Sequence, residues 1–77
     1  RLQRFTISIE AAALNTETVS ELTSIIEETP GNTQLYIQLY TPEQNAVTLH
    51  ATNRGVNVER KLLDYIKATD FMEYTIN

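Results

Sequence analysis

Thr29-Pro30-Gly31-Asn32-Thr33-Gln34-Leu35-Tyr36-Ile37-Gln38-Leu39-Tyr40 holds the end of one kind of structure and the start of another. Proline lacks the donor that continues a helix and glycine tolerates a left-handed turn, so Pro30-Gly31 reads as a helix stop. From Gln34 the period is two: Leu35, Ile37 and Leu39 fall on one face of a strand, and Tyr36, Gln38 and Tyr40 on the other. Upstream, Val19, Leu22, Ile25 and Ile26 recur at helical spacing, with Glu17, Glu21, Glu27 and Glu28 mostly on the opposite side. Asn15 is placed to cap this helix, with Leu14 and Val19 as a hydrophobic staple. Before it, Phe5, Ile7 and Ile9 alternate with Thr6, Ser8 and Glu10, giving a first strand from Arg4 to Glu10.

Downstream, Thr41-Pro42-Glu43-Gln44-Asn45 is turn chemistry, after which Val47, Leu49 and Ala51 alternate with Thr48, His50 and Thr52. The two strands read as a hairpin. Asn53-Arg54-Gly55 breaks the second one, and Val56 and Val58 form a short extension. A second helix, capped near Asn57, carries Leu62, Leu63 and Ile66, and a last strand runs from Met72 to Ile76.

The order β-α-β-β-α-β predicts an α+β two-layer sandwich of the ferredoxin-like, split βαβ type: an antiparallel four-stranded sheet with two helices on one face. Strands one and three are expected at the centre, two and four at the edges. The helix-facing set is Phe5, Ile7, Ile9, Leu35, Ile37, Leu39, Val47 and Leu49, and the other face stays open.

A chain of 77 residues is one small domain, 1–77, with a modest core. Its 42% apolar content and net charge of −4 exclude a disordered segment, and no apolar run approaches the roughly 20 residues of a membrane span. The lack of cysteine excludes disulfides, thiolate metal sites and cysteine nucleophiles, and fits a reducing, cytoplasmic compartment. Opening at Arg1 with no leader, the chain reads as a piece of something longer.

One histidine and no suggestive carboxylate pair make no catalytic set, so no catalytic, cofactor-binding or metal residue is expected. His50 has only Glu10 as an acid on a neighbouring strand's same face, which leaves most metal-ligand positions empty. The informative group is Tyr36, Gln38, Tyr40 and His50, a candidate partner surface on the open face, because tyrosine joins an apolar body to a polar tip and is enriched at interfaces. Base stacking is disfavoured there. Stacking platforms occupy central strands framed by basic residues, whereas this pair is expected on an edge strand in neutral to acidic surroundings.

Taken together, Arg4-Phe5-Thr6-Ile7-Ser8-Ile9, the acidic helix from Leu14-Asn15 to Pro30-Gly31-Asn32-Thr33, and Leu35-Tyr36-Ile37-Gln38-Leu39-Tyr40 resemble the extreme C-terminal domain of the bacterial replicative DNA polymerase III alpha subunit. Val47-Thr48-Leu49-His50, Val56-Asn57-Val58 and Leu62-Leu63-Asp64-Tyr65-Ile66 fit the rest of that pattern, so the likeness covers nearly the whole chain. It implies a fragment from the C-terminus of a DNA-directed DNA polymerase, itself non-catalytic, that tethers the polymerase to the clamp loader's tau-type subunit during DNA replication. Other domains of the polymerase chain and nearby single-stranded DNA are the further partners it implies, with no membrane.

Two other classes share this element order. A small-molecule regulatory domain usually carries glycine between its first strand and helix, where Ala11-Ala12-Ala13-Leu14-Asn15 has none. A single-stranded nucleic-acid-binding module would need to overcome the acidic charge.

Overall fold

A computed structural model describes residues 3–43 and 45–77. Arg1, Leu2 and Gln44 lie outside the described residues, as do the side chains of Thr52 and Asn53, which were expected on the open face and in the strand break. The elements are β1 (Arg4–Glu10), a short 3-10 turn (Ala11–Ala13), α1 (Thr16–Glu28), β2 (Pro30–Tyr40), β3 (Ala46–Val56), α2 (Arg60–Lys67) and β4 (Met72–Ile76).

The sheet is mixed rather than antiparallel, and its order is β3-β2-β1-β4. β1 and β2 pair in parallel, with Phe5 opposite Leu35 and Ile9 opposite Leu39. β3 pairs antiparallel with β2, and β4 antiparallel with β1. Strands one and two are therefore central, not one and three. The physical reason is that α1 returns the chain to the place beside β1, which the split arrangement would leave open for strand three. The hairpin then puts β3 outside β2, and α2 carries the chain back to the far edge.

Both helices pack on one face. Phe5, Ile7, Ile9 and Leu35 from the two central strands meet Leu22 of α1 and Leu62 and Ile66 of α2 in a single buried cluster, completed by Val56 and Met72. The Phe5 ring also lies 5.6 Å from that of Tyr74 on β4. The helices are joined at their exposed sides by an ion pair between Lys61 and Glu28 and by the Tyr65 hydroxyl, which donates to Glu21 Oε1 at 3.0 Å.

Burial, then this bond and the negative charge of Glu21, raise the Tyr65 pKa above its ordinary value. Each factor disfavours the phenolate. The folded state thus holds the proton more tightly than the unfolded chain, so this contribution is complete below about pH 10 and is lost as pH rises through the folded pKa. Tyr65→Phe is expected to cost about 0.5–1 kcal/mol at neutral pH and to flatten the fall in melting temperature above pH 10. A urea melt at pH 7 and thermal melts between pH 9 and 11 check the two effects.

Asn15 caps α1 as its position implies, its Oδ1 accepting from the Thr18 N–H at 2.8 Å. Asn15→Ala is expected to lower stability by about 1 kcal/mol, seen as a lower urea midpoint at unchanged slope. At the other end the helix stops at Thr29, which is fully buried. Its hydroxyl donates to the Ile25 carbonyl at 2.9 Å, and its own carbonyl accepts from the Asn57 N–H at 2.7 Å.

Pro30 and Gly31 already belong to β2, four residues earlier than the alternation begins. Gly31 does not adopt the left-handed conformation expected of a helix stop; it is required by space, since a Cβ there would lie 2.7–2.8 Å from the backbone of Asn57. Similarly, Asn53-Arg54-Gly55 does not end β3. Tyr36 pairs with His50 and Gln34 with Gly55, so two steps along β2 face five along β3 and the strand absorbs the excess as an irregularity. α2 starts later than expected, at Arg60 with Glu59 as its N-cap, while Asn57 donates through Nδ2 to Glu59 Oε2 at 2.9 Å.

Candidate functional site

The open sheet face carries the side chains singled out in the sequence, and strand pairing brings them together. Tyr36 sits opposite His50, Gln38 opposite Thr48 and Tyr40 opposite Ala46. The Tyr36 and His50 rings stack with centroids 4.2 Å apart and planes 7° from parallel. From the other neighbouring strand, the Arg4 guanidinium lies over the Tyr36 ring at 4.3 Å. Arg4 and His50 stand on strands flanking β2, so Tyr36 is the centre of a three-membered stack across the sheet. Arg4 was missed as part of this group because only the parallel pairing of β1 with β2 places it beside Tyr36.

One rung along, the Ser8 hydroxyl donates to Gln38 Oε1 at 3.1 Å. Tyr40 lies a rung further, opposite Glu10, so the stack and Tyr40 are separate features of the same face. His50 and Glu10 are likewise two rungs apart. Among the described residues no three His, Asp or Glu side chains converge as metal ligands.

The end of the sheet beyond His50 holds a hollow of about 290 Å³ lined by Gly31, Asn32, Gln34, His50, Ala51, Arg54 and Gly55. It lies where β3 departs from regular pairing with β2. Arg54 reaches back to Glu27 of α1 at 3.8 Å, with both side chains about half exposed. Such a pair is weak and easily exchanged.

The second feature lies on the helix side. Val47 and Leu49 face the helices as the alternation implies, yet they are 60% and 52% exposed. α1 and α2 pack over the central strands and β4, leaving the Val47 and Leu49 part of β3 uncovered on this face. Between α1 and the hairpin runs an apolar groove of about 250 Å³, lined by Leu14, Val19, Leu22, Thr23 and Ile26 on one side and Ile9, Ile37, Leu39 and Leu49 on the other. Val19 is 45% exposed at its lip, and Val47 extends the apolar surface along β3. The pattern of the sequence assigns these residues to a core; only the uncovered edge makes them a surface.

Comparison with protein-family models matches residues 5–77 to the DNA polymerase III alpha subunit, C-terminal domain. The match runs from β1 to the end of β4. The chain belongs to this family. Comparison with curated proteins and with solved structures returned no match. The C-terminal domain of the alpha subunit is therefore a part of a replicative polymerase. Its described helices include none long and apolar enough to cross a membrane. In this domain the open face offers polar and aromatic groups, and the groove offers aliphatic ones. These surfaces suit different partners.

Proposed function

We propose that this domain is a non-catalytic interaction module that holds the cytoplasmic replicative polymerase to the tau-type subunit of the clamp loader. The groove between α1 and the β2-β3 hairpin receives an amphipathic helix of that subunit. The observation that carries this reading is the exposure of Val19, Val47 and Leu49 around an aliphatic floor, in a domain whose remaining large apolar side chains are mostly in its core. A continuous apolar surface rimmed by polar residues is what a helix-in-groove partner covers. The chain carries −4 overall, so the partner helix is basic at its edges.

The Tyr36, Gln38, Tyr40 and His50 face is the weaker protein contact. Ser8 already satisfies Gln38, and Arg4 and His50 already cover Tyr36. Protein association through that face would exchange existing contacts rather than remove apolar surface from water.

The test is a titration of the isotope-labelled chain with the C-terminal portion of the tau-type subunit, following backbone amide shifts. Saturable shifts along Val19–Ile26 and Val47–Leu49 are expected. Saturable shifts confined to Tyr36, Gln38, Tyr40 and His50 would overturn the groove assignment but keep the tether. An absence of shifts at millimolar partner would sink the tether itself.

A further inference from the structure

We propose that the hollow at the His50 end of the open face binds one base-and-phosphate unit, taken from a single-stranded nucleic acid. Three observations converge. The stack Arg4, Tyr36, His50 runs across the sheet, and His50 also lines the hollow, so a planar base entering there continues the stack. Asn32 and Gln34 in its lining carry amides that can both donate to and accept from a base edge. Arg54 lines it as well, held only by a weak exposed pair to Glu27, and a guanidinium is suited to phosphate.

The fold also bears on both objections raised by the sequence. Stacking platforms use central strands, and His50, on the edge strand β3, is backed by Tyr36 on β2, which is central. They are framed by basic residues, and Arg4 and Arg54 stand at the end of the sheet that holds the hollow, whereas Glu10 lies at the other end of the open face and Glu73, opposite Ser8, on the far strand β4. Glu17, Glu21 and Glu28 of α1 belong to the opposite layer, and Glu27 of α1 is paired with Arg54. Net charge describes the whole domain, whereas a single nucleotide meets only this end of it.

Fluorescein-labelled dT10 titrated into this chain, with amide shifts recorded in parallel, tests the site. Saturation with shifts at Gly31, Gln34 and Gly55 is expected. With one phosphate contacted, the affinity falls about 2.6-fold between 50 and 200 mM salt. His50→Ala is expected to weaken binding at least about fivefold, as loss of one base stack does, while Tyr36→Phe, which keeps the ring, leaves it unchanged. Arg54→Ala should remove most of the salt slope. Glu10→Gln, at the far end of the face, is expected to change neither the shifts nor the salt slope. A dispersed amide spectrum of each variant shows that it folds.

dTMP binding as tightly as dT10, with the same His50 dependence, would support the hollow and name a free nucleotide as the source. Inorganic phosphate producing the same shifts, insensitive to His50→Ala, would overturn the proposal in favour of a simple anion contact. So would an absence of saturation at 50 mM salt, or shifts elsewhere on the surface. None of these outcomes bears on the groove, whose titration reads different amides.

Discussion

Gly55→Ala is expected to destabilise the domain by about 3 kcal/mol and to lower its melting temperature by about 12–24 °C. A Cβ at Gly55 would overlap the Gly31 carbonyl oxygen and approach that of Thr33 to 3.1 Å. Both obstacles are backbone atoms of the adjacent strand, so no rotamer change relieves the clash. The strands must separate where Val56, which is fully buried, follows directly. A domain of this size has a total stability of about 4–11 kcal/mol, so the loss is a large share of it. Gly31→Ala meets the backbone of Asn57 and is expected to act in the same direction. Thermal melts followed by circular dichroism check both. A Gly55→Ala protein that melts within a few degrees of wild type would show that β2 and β3 do not approach in this way.

The second large effect concerns the groove. Val47→Asp with Leu49→Asp is expected to weaken the tau-type partner about 100-fold or more. Each side chain is already half buried, so covering the remainder contributes about 1 kcal/mol apiece, and a carboxylate buried against an apolar helix adds a desolvation cost. Together these reach about 3 kcal/mol, and each 1.4 kcal/mol is a factor of ten. The double variant replaces side chains that are only half buried, so its melting temperature should fall by less than that of Gly55→Ala. Thr48→Asp lies on the same strand with its side chain on the open face, and controls for the poor strand propensity of aspartate. It should leave affinity unchanged. Calorimetric titration of the three proteins decides the matter; equal losses for Thr48→Asp and the double variant would mean that the effect comes from the strand and not from a contact.

These two predictions also mark where the sequence is readable. The existence and type of every strand and both α-helices follow from periodicity, and the Asn15 cap from its side chain's capacity to accept a hydrogen bond. The faces follow too: Phe5, Ile7, Ile9 and Leu35 are buried because alternate residues of a strand share a side. Glycine was harder. Pro30-Gly31 and Gly55 look like punctuation, but they lie inside strands and are there because another backbone passes close by, a fact that involves residues distant in the chain.

The candidate surfaces divide in the same manner. Tyr36, Gln38, Tyr40 and His50 share a face on local alternation alone, and strand pairing assembles them. That Arg4 joins Tyr36, that β2 is central, and that Val47 and Leu49 are left in solvent all depend on which strands are neighbours. Alternation determines which way a side chain points but carries no term for the strand beside it. Neighbours are chosen by long-range pairing and by where the helices find apolar surface to cover. The sequence by itself determined the elements, their faces and the family; the tertiary structure decided the strand order, and with it which apolar residues are core and which are free to meet a partner.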